Sequence, residues 1–199
     1  MKKILLFVSL FHFALSGMAQ LHFPVDENSG KVQYQLSEDI AVSNTDKYNR
    51  TKTWFMNYYK TSRFEEYFMS SKRGRLTHLE ESKKSNSISG KYGFHVMYPS
   101  ETSSMVIEQV FVMFTMKITF TKTGYENLIT DMICFTAPTN SNGNMRPVEF
   151  GLEAYNAQQL NRLGYVQYYI IPQVNQSVKK IQQDLSRSLR YGNLTEISW

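Results

Sequence analysis

The chain has 199 residues, 42% of them hydrophobic, with 22 Lys and Arg against 17 Asp and Glu and a formal net charge of +5. That length suits one domain with a real core, and the mild positive balance is weak support for a polyanionic partner. The single cysteine, Cys134, excludes an internal disulfide, so the core alone must hold the chain together.

The chain begins with the layout of a secretory signal. Lys2 and Lys3 are followed by an apolar run over 4–15, and Ser16, Gly17, Met18 and Ala19 supply small residues ahead of a cut between Ala19 and Gln20. The run is too short to span a bilayer, which takes about 20 residues. No later stretch replaces it, because the richest, over 106–120, is interrupted by Glu108, Gln109 and Lys117. The expected organisation is a signal peptide over 1–19 and one α+β domain over 20–199, periplasmic or secreted, with 136–171 an irregular, insertion-like segment.

After a turn-rich stretch over 23–30, Val32, Tyr34, Leu36, Ile40 and Val42 alternate with polar residues and predict a strand. Glu38 falls on its apolar face; a bulge, a strand end or a functional carboxylate would each account for it. Ser43 or Asn44 then caps a helix to about Lys60, with Tyr48, Thr51, Phe55 and Tyr58 at helical spacing and Trp54 and Tyr59 beside them. That aromatic stripe reads as core. The span 46–91 holds eleven Lys or Arg against five acids and reads as a solvated basic face.

A strand over 75–81, a polar turn over 82–87 and an alternating strand over 88–98 form a hairpin. The strongest strand follows: Val110, Val112, Phe114, Met116, Ile118 and Phe120 face one way, and Phe111, Met113, Thr115, Lys117 and Thr119 the other. Lys122, Thr123 and Gly124 turn the chain into a return strand over 125–135. Residues 136–148 carry no regular pattern, 149–163 allow one or two helical turns, and 166–171 are apolar enough to pair with a sheet edge. Val174, Val178, Ile181, Leu185 and Leu189 make a narrow stripe on a last helix that Gly192 stops. Strand, helix, four strands and helix make an α+β domain: an antiparallel sheet covered on one face by two amphipathic helices.

No established catalytic motif is present. His22, His78 and His95 lack a second ligand at metal spacing, so no metal site and no cofactor are expected. The pairs Glu65-Glu66 and Glu80-Glu81 point to opposite faces of an extended chain and make poor acid/base dyads. Asp131 sits among apolar strand residues, and Cys134 reads as a buried, unreactive thiol.

The stretches FPVDENSGKVQYQ (23–35), SNSISGKYGFHV (85–96) and KTGYENLITDM (122–132) resemble the domain-of-unknown-function 4468 family, found mostly in exported proteins of Bacteroidetes-type bacteria. The resemblance runs from about Phe23 to Arg190 and implies a TBP-like β-α-β4-α fold, with no catalytic or binding residues to carry over. Two readings of function follow. The first is a non-catalytic binding or interaction module of the cell envelope. Its partner would be an envelope protein, or a small apolar ligand held between sheet and helix near Phe114, Phe120, Ile181 and Leu185; nucleic acid is not expected. The alternative is a hydrolase using scattered carboxylates such as Glu38, Glu108 or Asp131.

Overall fold

A computed structural model of the chain describes residues 22–61, 79–83, 85–99, 107–136, 148–155 and 166–192. The expected signal peptide, Glu65-Glu66, His78 and the segment 137–147 lie outside them. The elements are β1 (Tyr34–Asp39), α1 (Asn44–Thr61), β2 (Glu80–Ser82), β3 (Ser87–Pro99), β4 (Ile107–Phe120), β5 (Gly124–Thr136), β6 (Val148–Gly151), a 3₁₀ turn (Leu152–Tyr155), a π-helical turn (Val166–Ile170) and α2 (Ile171–Tyr191). The strands form one antiparallel sheet in the order β1-β5-β4-β3-β2, and β6 pairs with β5 beyond the end of β1.

The period-2 pattern sets the two faces. Val110, Val112, Phe114, Met116, Ile118 and Phe120 of β4 are all buried. They form a single core with Ile88, Tyr92, Phe94 and Val96 of β3 and with Val174, Val178, Ile181, Leu185 and Leu189 of α2. α1 adds Trp54 and Phe55, and the Phe55 ring stacks on Tyr92 with centroids 5.0 Å apart. The aromatic stripe is therefore core for these two residues; the side chains of Tyr58 and Tyr59 lie outside the described ones.

Local chemistry ends the elements where the sequence places its signals. The Ser43 hydroxyl accepts from the Asp46 N–H at 3.1 Å, which caps α1. Gly192 takes φ 77°, a left-handed value that glycine accepts without strain, and its N–H reaches the Ser188 carbonyl at 2.9 Å. At Gly124 a side chain would run into the Glu38 backbone, so glycine lets β1 approach the start of β5.

Two local expectations need correction. β1 pairs with β5 without a register shift, so Glu38 is not on a bulge. The bulge lies in β5 instead: Met113 pairs with Ile133 but Thr115 pairs with Thr130, which leaves one extra residue opposite Phe114. Asp131 supplies the left-handed residue there, with φ 51°. The extra residue keeps Ile129, Met132 and Cys134 all buried despite their broken alternation. Finally, Val166–Ile170 is a π-helical turn leading into α2, not a strand at the sheet edge.

Candidate functional site

The carboxylates singled out in the sequence are held apart. Glu38 pairs with Tyr125 at one end of β5, and Asp131 lies six residues further along that strand. At about 3.3 Å per residue this is a separation of roughly 20 Å. Glu108 lies in β4 opposite Tyr98, beyond the Val110–Thr136 pair at the far end of β5; its side chain is not among those described. Strand spacing thus sets the three positions along the length of the sheet.

Glu38, Asp131 and Glu81 are each engaged. Glu38 faces the helices, where Arg190 of α2 donates to Oε1, through Nε at 3.2 Å and through Nη2, and the Tyr125 hydroxyl donates to Oε2 at 2.9 Å. Burial works to raise its pKa, but hydrogen bonds from Ser186, Arg190 and Tyr125 outweigh that and hold it below the usual range. Asp131 binds Lys31 Nζ at 2.9 Å, and that contact lowers its pKa. Glu81 of the Glu80-Glu81 pair takes Lys52 at 2.7 Å and the Tyr48 hydroxyl, as a surface charge does.

Around Glu38 the sequence hid a polar pole. Lys47, in the first turn of α1, is fully buried, and its ammonium donates to the carbonyls of Thr121 and Gly124 at 2.9 and 3.0 Å. Arg50 Nη1 donates to the carbonyls of Leu189 and Arg190, capping the end of α2 with a cation. These contacts tie both helices to the β4–β5 turn and to the end of β1. They are anchoring contacts, because every group is committed to another part of the chain.

Cys134 is fully buried, and desolvation, helped by the Glu153 charge, pushes its thiol well above the ordinary range. His95 lies on the sheet face opposite the helices, its ring 5.0 Å from Phe111, and partial burial lowers its pKa. Among the described residues no three His, Cys, Asp or Glu side chains converge to hold a metal. No described helix is long and apolar enough to cross a membrane.

The opposite end of the sheet has a different character. Met97, near the end of β3, is 58% exposed, and Ile107, opposite Pro99, is 60% exposed. Tyr168 and Tyr169 of the π turn are 76% and 41% exposed. The Gln173 side chain joins the two elements: Nε2 donates to the carbonyls of Met97 and Tyr169 at 2.7 and 2.9 Å, and Oε1 accepts from the Met97 N–H at 3.2 Å. Four of the seven exposed large hydrophobic side chains among the described residues thus lie at this end of the molecule, Met97 and Ile107 on the paired strands and Tyr168 and Tyr169 on the turn that Gln173 ties to β3. The sequence did not reveal this corner, because Tyr168 and Tyr169 are far from Met97 along the chain and their segment read as a strand.

No family model matches the sequence, and the search of curated proteins finds no match. Two solved structures match in fold. A TBP-like protein from Parabacteroides distasonis is 15% identical with a TM-score of 0.53, covering 82% of this chain and 96% of that one. A DUF4468 family protein from Bacteroides ovatus is 12% identical with a TM-score of 0.52, covering 81% of this chain and 90% of the other. At these identities the likeness is one of fold alone, and the fold of this chain is the TBP-like one that its turn and strand motifs implied.

Proposed function

We propose that this chain is an exported, non-catalytic binding or interaction module of the cell envelope, and that it meets its partner through the corner formed by Met97, Ile107, Tyr168 and Tyr169. The clustering of these exposed apolar side chains carries the reading, since gathered apolar groups on a soluble surface favour an interaction site. The separation of Glu38 from Asp131, and the commitment of each to a cation, support a non-catalytic role over the hydrolase alternative. A protein partner is favoured over a small apolar ligand held under the helices, because Phe114, Phe120, Ile181 and Leu185 are all members of the packed core. Export places the partner in the periplasm or outside the cell, and N-terminal sequencing of the exported protein should begin at Gln20.

The reading is tested by placing a photoreactive phenylalanine analogue at Tyr168 in the full chain, with a control at Gln183 on the solvent side of α2. Irradiation of intact cells should give one discrete adduct from position 168 and none from 183, and Met97→Asp should remove it. Equal adducts from both positions, or none from either, would overturn the proposal.

A further inference from the structure

The join between the π turn and α2 has a local cause. Pro172, the second residue of α2, has no N–H to give the Tyr168 carbonyl, and in a regular α-helix its ring would press on that carbonyl. Widening the chain into a π turn over Val166–Ile170 relieves the contact, and Tyr168 and Tyr169 of that turn stand exposed. A single turn at the end of a helix frays readily on its own. Gln173, the residue after the proline, supplies a hold. Its Nε2 donates to the Tyr169 carbonyl at 2.9 Å and to the Met97 carbonyl at 2.7 Å, and its Oε1 accepts from the Met97 N–H at 3.2 Å. One side chain thus bonds the backbone of the turn and both backbone groups of a β3 residue.

We infer that Gln173 is the positioning residue of the docking corner: it fixes the π turn against β3, so that Tyr168 and Tyr169 are held near Met97 before the partner arrives. The inference rests on the binding-module reading and names the residue that sets its geometry. Two features single out Gln173. The first is its chemistry. An amide carries donors and an acceptor at one tip, which matches a strand residue with both its N–H and its C=O turned outward; a carboxylate would lack the donors and an ammonium the acceptor. The second is its footing. Ile170, Ile171 and Val174 beside it are buried in the core, so the tether extends from backbone that is itself fixed. Gln173 is also four residues after Tyr169, which places its side chain over the turn that it holds. A partner that had to order a loose turn would lose affinity to that ordering, whereas a held turn is already in place. For two tyrosine side chains the gain is about five- to a hundredfold in affinity.

The test compares the full chain with Gln173→Leu, which keeps the stem and removes the amide, and with Gln183→Leu as a surface control. In the purified native protein the Met97 amide should be protected from exchange, and Gln173→Leu should speed its exchange about tenfold or more, with the core amide of Val112 unchanged in both variants. NMR order parameters of the turn should fall from about 0.85 to below about 0.6 in Gln173→Leu alone. In intact cells, the adduct from the photoreactive analogue at position 168 should fall about fivefold or more in Gln173→Leu and persist in Gln183→Leu. An unchanged adduct from a released turn would make Gln173 merely structural and overturn the inference. So would a turn that stays rigid in Gln173→Leu, or a Met97 amide that exchanges freely in the native protein. If Gln173→Leu does not fold, Gln173→Glu decides by the same turn and adduct readouts, since at neutral pH it keeps the acceptor and loses both donors. The two levels of the account fail separately. An adduct missing already from the native chain would sink the binding-module reading and this role with it, whereas a native adduct indifferent to Gln173→Leu would sink the inference alone.

Discussion

Lys47→Met separates anchoring from mere tolerance at the polar pole. The methionine keeps most of the apolar stem and deletes the ammonium that holds the Thr121 and Gly124 carbonyls. Two charge-assisted hydrogen bonds of about 1.5–3 kcal/mol each are lost. Against this stands the desolvation of a fully buried ammonium, an offset of several kcal/mol. A second offset acts at the turn, where the Gly124 carbonyl keeps the Thr121 N–H at 3.0 Å. The uncompensated part is then the part-buried Thr121 carbonyl, left without this donor at about 1–3 kcal/mol. The expected loss is therefore about 1–3 kcal/mol, or roughly 3–10 °C in Tm for a domain of this size. Urea and thermal unfolding followed by circular dichroism measure it, with an unchanged urea slope as the check that the unfolded state is the same. A Lys47→Met protein as stable as the native one, or more stable, would refute the reasoning and make the buried lysine a tolerated charge.

Leu185 lies mid-stripe on α2 and is fully buried, so Leu185→Ala should cost about 2–5 kcal/mol in the same unfolding assay; a loss below about 0.5 kcal/mol would mean the stripe is not packed as described. Glu38 has a folded pKa below its unfolded value, so its contribution is present above the ordinary glutamate range and is lost as pH falls through the folded value. Glu38→Gln should accordingly flatten the acid limb of a stability–pH curve and leave its shape above pH ~6 unchanged. The Cys134 thiol should react slowly with Ellman's reagent in the native protein and quickly in denaturant; rapid native labelling would revive it as a nucleophile.

Long, regularly alternating elements were legible in the sequence and local irregularities were not. β3 and β4 carry a strict period of two that only a sheet with one buried face requires, and α2 carries a stripe that only a helix can bury. The residues of the polar pole gave misleading signals. Lys47 reads as an exposed cation in a helical first turn, where it opposes the helix dipole; only tertiary packing supplies the carbonyls that receive it. Glu38 breaks an apolar face because Arg190, far along the chain, arrives to pair with it. The β5 bulge left a trace in the sequence, since Ile129, Met132 and Cys134 cannot all share one face of a regular strand. The apolar corner left none, because its members come from three elements, β3 and β4 joined by strand pairing and the π turn tied to β3 by Gln173.

The central claim is that the corner is open in the isolated protein and covered in its native setting. Hydroxyl-radical footprinting tests both halves at once by comparing purified protein with protein in intact cells. The exposed residues Met56 and Tyr191, which lie elsewhere on the surface, serve as internal controls. The account predicts that Met97, Tyr168 and Tyr169 are modified as readily as the controls in the purified protein. In cells these three should be protected while the controls stay reactive. Protection of the three already in the purified protein would contradict the structure of the corner, and equal reactivity in both settings would contradict its role.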